Sequence, residues 1–197
     1  MIAELGHLAL ALALAVALIQ SVVPMIGAAR GWEGWMGAGR MAAVAQFLLL
    51  AFAFGVLIHG FVTSDFSLQL VYGNSHSAKP MLYKVTGVWG NHEGSMMLWV
   101  LILALFGAAA AVFSGHLPAS LRARVLGVQG MIGAAFLGFI LFTSNPFLRL
   151  PVAPFDGRDL NPLLQDPGLA FHPPLLYLGY VGLSMSYSFA VAALIEG

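Results

Sequence analysis

The chain has 197 residues, of which 60% are hydrophobic and only 8% are charged, and its mean hydropathy is +0.90. Water-soluble domains carry roughly 25% charged residues, so this composition excludes a soluble globule and predicts a polytopic membrane protein. The net charge of zero argues against nucleic acid as a partner. The chain contains no cysteine, which excludes disulfides and thiolate metal sites within it and leaves histidine as the expected metal ligand.

Five apolar segments are long enough to cross a bilayer, since a membrane-spanning helix needs about 20 apolar residues. They cover residues 5–26, 41–62, 95–113, 125–143 and 174–195. The first segment lacks the basic amino-terminal region of a secretion signal and is therefore predicted to be a retained helix. The expected fold is an all-α membrane domain over residues 1–197, with about five transmembrane helices and two long loops.

The loops between these segments alternate in length and in basic character. The short loops after the first and third segments contain four arginines, at positions 30, 40, 122 and 124. The long loops also contain basic residues, but four aspartates dilute them. Because cytoplasmic loops are enriched in lysine and arginine, we expect the short loops inside and the long loops outside.

His172 lies in a polar stretch that leads into the fifth apolar segment, and two prolines follow it. A residue before proline avoids the helical conformation, and proline favours the first helical position. The pattern therefore predicts that the helix begins at Pro173, with His172 just outside it. An imidazole presented there can bind a metal in its neutral form. The alternative is that His172 only caps the helix or lies at the lipid interface.

The adjacent pair His92 and Glu93 is a second candidate, at the start of the third segment. One interpretation is a proton-transfer or ligand pair beside a cofactor. The alternative is structural, because Asn91 is a good helix cap and a carboxylate suits the positive end of a helix dipole. His59, near the end of the second segment, is expected to serve packing.

Polar and small residues within the apolar segments predict contacts between helices. Gln20, Gln46 and Gln129 are expected to form interhelical hydrogen bonds. A group of glycines in the fourth segment is expected to allow close helix packing. Its members are Gly127, Gly130, Gly133 and Gly138.

Three sequence blocks together closely resemble the amino-terminal part of the CcmF heme lyase family, a branch of the cytochrome c assembly proteins. They are WGNHEGSMMLW at 89–99, LFTSNPF at 141–147, and GRDLNPLLQDPGLAFHPPLLYLGYVG at 157–182. The similarity extends over the whole chain, with the cytochrome c assembly region expected to begin around residue 85.

The resemblance implies a function in cytochrome c maturation, in which heme is delivered and ligated to apocytochrome c. It implies that His172 is an axial ligand of the iron of a b-type heme in transit. His92 and Glu93 would be accessory residues without an assigned role. The implied location is the bacterial inner membrane, with His172 on the periplasmic side.

The resemblance also implies partners: a heme chaperone, apocytochrome c, thiol-handling subunits and the remaining part of the same protein. The tryptophan-rich periplasmic segment of the family, its second periplasmic histidine and its structural heme site are expected outside this chain. The chain alone is therefore not expected to be catalytic. An alternative function is a non-catalytic membrane scaffold that docks other subunits. A transporter is a weaker alternative, since broken helices or buried charges near the bilayer midplane are lacking in the sequence.

Overall fold

The computed structural model describes residues 1–197, except for the side chain of Leu169. The described chain folds into seven α-helices and one short 3-10 helix, and its single β-type contact is a bridge between Leu68 and Arg149. In chain order the helices are α1 Ile2–Arg30, α2 Glu33–Val62, α3 Gln69–Asn74, α4 Met81–Thr86, α5 His92–Phe113, α6 Ala119–Thr143 and α7 Pro167–Glu196. Five of them are long and apolar enough to span a membrane, which confirms the predicted all-α membrane fold.

The first two spanning helices are longer than the apolar segments that predicted them. Only Gly31 and Trp32 separate α1 from α2. Gly31 ends α1 in the left-handed conformation, with φ of 69°, and its N–H bonds to the carbonyl of Gly27. Glycine adopts this conformation without the steric cost that a side chain imposes. The short connection makes α1 and α2 an antiparallel hairpin.

Small residues on α6 allow α1 to pack directly against it. A Cβ atom added at Gly130 would lie 2.7 Å from the main-chain nitrogen of Ser21, and one added at Gly127 would lie 2.6 Å from Cγ of Met25. The predicted use of these glycines is confirmed. For Gly138 the prediction is wrong, because an added Cβ there meets no atom within 4 Å.

Two of the three glutamines predicted to join helices do so. The amide of Gln20 in α1 donates to the carbonyl of Leu126 in α6 at 2.9 Å. The amide of Gln129 in α6 donates to the hydroxyl of Ser188 in α7, also at 2.9 Å. Gln46 is buried in α2, but it forms no interhelical hydrogen bond among the described residues.

The helix α7 lies at the edge of the bundle, against α5 and α6. Its inner face includes the buried residues Val181, Ser188 and Ala192. Its outer face is exposed along most of its length, and Leu175 and Leu183 are 68% and 64% exposed. The last spanning helix is therefore held on one side only.

The alternating directions of the five long helices bring the starts of α1, α5 and α7 to the same end of the bundle as the ends of α2 and α6. The two long loops lie at this end. An ion pair of 2.7 Å between Glu4 in α1 and Arg149 in the second loop joins helix and loop there. The first long loop contains the short helices α3 and α4, which were not predicted from the sequence.

Candidate functional site

The two long loops, residues 63–91 and 144–166, pair with each other and form a layer over one end of the bundle, called here the capping layer. The N–H of Gln69 donates to the carbonyl of Leu148 at 2.9 Å, and the N–H of Leu150 donates to the carbonyl of Ser67 at 2.8 Å. Main-chain bonds between segments so far apart in sequence fix the loops relative to the helix ends.

A buried lysine holds the capping layer together from inside. The side chain of Lys79 is fully buried; its Nζ donates to the carbonyl of Asn74 at 2.7 Å and lies 3.4 Å from Oδ1 of Asp159. Burial lowers the pKa of Lys79, and the charge of Asp159 opposes that shift. For Asp159, burial raises the pKa, but the N–H of Leu160 and the lysine charge together lower it below its ordinary value.

A second acidic residue, Asp156, joins the two loops on the exposed side of the capping layer. The hydroxyl of Ser77 donates to Asp156, and with the main-chain N–H groups of Ser77 and Gly157 it lowers the pKa of this carboxyl to about 2. His76 lies 3.4 Å from the same carboxylate. The charged side chains join the two loops of the capping layer. The capping layer is therefore a rigid surface beside the helix ends.

The helix α7 begins earlier than the sequence predicts. Pro167 is its first residue, and Oδ1 of Asp166 accepts the N–H of Gly168 at 2.8 Å in the manner of a helix cap. His172 is therefore the sixth residue of the helix, and the expectation that Pro173 starts it is wrong. The dipeptide Asp-Pro at 166–167 is the actual start signal, because aspartate caps well and proline suits the first position.

Two prolines in the second turn leave carbonyls of the first turn without their usual partners. Pro174 has no N–H to donate to the carbonyl of Ala170, four residues earlier. The indole N–H of Trp89 donates to that oxygen at 2.9 Å. The Trp89 ring is half-buried and stacks on Phe54, with 6.5 Å between the ring centroids.

A second contact fixes the next turn of α7. The hydroxyl of Tyr177 lies 2.5 Å from the hydroxyl of Ser95 in the first turn of α5. Together with the Trp89 bond, this contact attaches the first three turns of α7 to the start of α5. The segment that carries His172 is thus held at two points.

His172 itself lies on the outer side of this anchored segment. The residue is exposed, and its imidazole forms no hydrogen bond, ion pair or ring contact with any described residue. It lies five residues before Tyr177, about 140° around the helix, and so points away from α5. Its neighbour Phe171 is exposed, and so are Leu175 and Leu176, which lie one turn further along on the same side of the helix as His172. Its nitrogen is therefore free to bind a ligand from outside the described bundle.

His92 and Glu93 lie elsewhere at the same end. Asn91 caps α5, as predicted, by accepting the N–H of Gly94 at 2.8 Å. The imidazole of His92 lies 3.1 Å from the hydroxyl of Ser144, at the end of α6. Glu93 lines a polar cleft of about 400 Å³ between the helix ends and the capping layer.

The three predicted site residues are not brought together. No hydrogen bond or ion pair joins His172 to His92 or Glu93 within the described part of the chain, and no three acidic or histidine side chains there group as a metal site. His59, expected to pack, is instead exposed beside a cleft near the start of α1.

Comparison with known proteins places this arrangement in a family. The family model described as "Cytochrome C assembly protein" matches residues 89–196, which include Trp89, the whole of α5 and α6, and α7 with His172. The chain belongs to the cytochrome c assembly protein family. The predicted resemblance is confirmed.

Close relatives share the whole length of the chain. It is 75% identical to the cytochrome c-type biogenesis protein ccl1 of Rhodobacter capsulatus and 51% identical to the cytochrome c-type biogenesis protein CcmF of Escherichia coli. A solved structure of the cytochrome c heme lyase CcmF superposes with a TM-score of 0.85 at 29% identity, and it covers the entire chain. The chain spans only about 30% of the length of these relatives.

The family implies heme, and the described residues fit one side of such a group. An imidazole is a common axial ligand of heme iron, and that of His172 has no competing partner. Leu175 and Leu176, 68% and 50% exposed, lie one turn further along within about 60° of His172 around the helix and offer apolar surface on the same side. A second axial donor facing His172 is not present among the described residues. The chain therefore fits half of a heme site.

Proposed function

We propose that this chain serves heme delivery and ligation to apocytochrome c, with His172 as an axial ligand of the iron of a b-type heme in transit. The observation that carries the proposal is the unpartnered, exposed imidazole on a helix segment anchored at two points by Trp89 and Tyr177. A free donor on a rigid support is the arrangement that metal ligation requires.

The chain's own residues hold and orient the ligand, and they do not complete the reaction. The bound heme would supply the vinyl groups and the iron, and His172 would hold the iron near the start of α7. The second ligand and the apocytochrome site belong to segments outside these residues. The expected partners are the remaining part of the same protein, a heme chaperone, apocytochrome c and thiol-handling subunits of a maturation complex.

Location at the periplasmic face of the bacterial inner membrane is part of the proposal. It is supported by the arginine distribution, since Arg30, Arg40, Arg122 and Arg124 lie at the end of the bundle opposite the capping layer. With that end in the cytoplasm, His172 faces the periplasm.

His92 and Glu93 remain accessory candidates within the proposal. His92 is held by Ser144 at the end of α6, and Glu93 lines the polar cleft. Both lie at the same end of the bundle as His172, so they can act on a ligand or a polypeptide that binds beside the capping layer. No contact assigns either of them to the heme iron.

The test replaces His172 with alanine. The chain is co-produced with the part of the Rhodobacter capsulatus relative that lies outside the matched residues. The host strain lacks its own gene for this protein. We expect His172→Ala to lower the affinity for heme added to the purified complex at the periplasmic site about tenfold or more, because even supporting residues around a metal ligand change affinity by 10- to 100-fold. The heme held by the structural site of the complementary part should remain. Covalent attachment to cytochrome c, measured by heme staining, should fall with the affinity.

The matched control is His59→Ala, an exposed histidine at the same end of the bundle. It should leave heme affinity and cytochrome c assembly unchanged. Normal heme affinity and normal assembly in the His172→Ala protein would contradict the proposal and favour a non-catalytic scaffold.

A further inference from the structure

An apolar groove lies at the end of the bundle opposite the capping layer. It runs between α2 and α5, has a volume of about 530 Å³ and is open to the side of the bundle. Its walls include Val44, Leu48 and Val112, and the latter two are 60% and 55% exposed. One charged residue, Arg40, lies within this otherwise apolar lining.

The guanidinium of Arg40 is fixed but not neutralised. Its Nε donates to the carbonyl of Ala111 in α5 at 3.0 Å. Among the described residues, its two terminal nitrogens have no hydrogen-bond partner and no carboxylate within ion-pair distance. A cation held in this way offers two N–H groups in a fixed plane, which matches an oxyanion such as a phosphate.

The groove has a charged group near one end of the helices and apolar walls that extend deeper along α2, so its ligand needs a polar end and an apolar tail. Ala111 lies two residues before the end of α5 at Phe113, so Arg40 lies at the level of a helix end. Trp32 and Trp35, an exposed edge-to-face pair at 5.0 Å, lie at the start of α2, and exposed tryptophans are enriched at membrane interfaces. Val44 and Leu48 are one and two turns further along α2, about 6 and 12 Å deeper at 1.5 Å per residue.

We propose that this groove binds an anionic phospholipid, with the headgroup phosphate on Arg40 and one acyl chain along Val44 and Leu48. Basic pockets between transmembrane helices bind lipid headgroups of this class. A neutral isoprenoid or an apolar helix would fill the groove but would leave the guanidinium unpaired at the edge of the hydrocarbon, which is unfavourable. A zwitterionic phospholipid also carries a phosphate, but its ammonium group opposes the attraction to Arg40. Charge complementarity therefore favours the lipid with a net negative charge.

The test measures lipid retention by native mass spectrometry. The chain, co-produced with the complementary part of its Rhodobacter relative, is exchanged into detergent that contains either phosphatidylglycerol or phosphatidylethanolamine with the same acyl chains. We expect phosphatidylglycerol to be retained about fivefold more, the factor for one basic side chain beside an anionic membrane lipid. Arg40→Gln should remove this preference.

A steric variant tests the groove separately from the charge. A Cβ atom added at Gly37 meets no atom within 4 Å, so Gly37→Leu fills the groove without a clash. It should lower retention of phosphatidylglycerol while helix content and elution volume stay unchanged. The matched controls are Gly55→Leu, in equally open space on the same helix outside the groove, and Arg30→Gln, a basic residue at the same end.

Two outcomes would overturn the proposal. The first is equal retention of both lipids by the unaltered protein, which includes the case of a groove covered by the complementary segment. The second is a neutral lipid or quinone that is displaced by Gly37→Leu but unaffected by Arg40→Gln, since the guanidinium would then have no part in binding.

Discussion

The cluster of α1, α2 and α6 and the single helix α7 are both apolar, yet they are held in different ways. Between 39% and 50% of the residues in the apolar windows of the other four spanning helices are buried, against 17% in α7. In the cluster of α1, α2 and α6, glycines such as Gly130 let the helices approach until main-chain atoms are in contact. The helix α7 is attached by a few polar contacts, namely those of Trp89, Tyr177 and Gln129. The least buried of the five spanning helices carries the free imidazole, and its outer face is available to a ligand and to other segments.

The largest effect is expected from a substitution that disrupts the close packing of α1 against α6. We expect Gly130→Leu to destabilise the protein by about 3 kcal/mol, because the new side chain would collide with the backbone of Ser21 and overpacking against a backbone cannot relax easily. The control is Gly179→Leu on α7, where an added Cβ meets nothing within 4 Å. That change should alter stability by no more than about 0.5 kcal/mol.

Unfolding in detergent, followed by circular dichroism, measures both variants. Equal stability of the Gly130→Leu protein and the unaltered protein would show that α1 and α6 do not approach as closely as described.

A smaller effect tests the attachment of the His172 segment. Trp89→Phe keeps an aromatic ring beside Phe54 but removes the indole N–H, and it should cost about 1–3 kcal/mol because the Ala170 carbonyl loses its donor. With Pro174→Ala also present, the cost should fall by about 1 kcal/mol, because an N–H at position 174 can bond to that carbonyl within the helix.

The coupling between the two changes is obtained from the four unfolding free energies of a double-mutant cycle. Trp99→Phe combined with Pro174→Ala is the matched control, and its two effects should simply add. Additivity for Trp89 as well would mean that its hydrogen bond does not compensate for the proline.

The smallest effect concerns the polar contact deep in the membrane. Gln129→Leu removes the hydrogen bonds to Ser184 and Ser188 and should cost about 1 kcal/mol, because each such bond between transmembrane helices contributes about 0.6 kcal/mol on average. Amide hydrogen exchange should become faster in the second half of α7. Gln20→Leu, which removes a bond between α1 and α6, should leave exchange in α7 unchanged. Equal acceleration in both variants would contradict a local role for Gln129.

Local signals in the sequence identified much of the fold. Asn91 is a strong helix cap, and it caps α5 as predicted. The short helices α3 and α4 were missed because each has only six residues, too few for a periodic pattern. The start of α7 was predicted at Pro173 because proline favours the first helical position and the residue before proline avoids the helical conformation. Asp166 and Pro167 instead form an earlier start.

Other features of the site had weaker signals or none. Two adjacent prolines imply carbonyls without helical donors, so a compensating donor could have been sought, but nothing identified Trp89 as that donor. The contact between Ser95 and Tyr177, 82 residues apart, has no local signal at all. The separation of His172 from His92 likewise depends on which faces α5 and α7 present to each other.

The amino-acid sequence by itself determined that this protein crosses a membrane about five times, and its motifs indicated the family. The reason is that composition and apolar length are local properties, since each span must satisfy its own backbone in hydrocarbon. Only the tertiary structure decided that the imidazole of His172 is free, that Trp89 replaces a donor lost to proline, and that Arg40 lies unneutralised in an apolar groove. Those facts arise from the relative placement of helices, which packing and hydrogen bonds between distant residues establish.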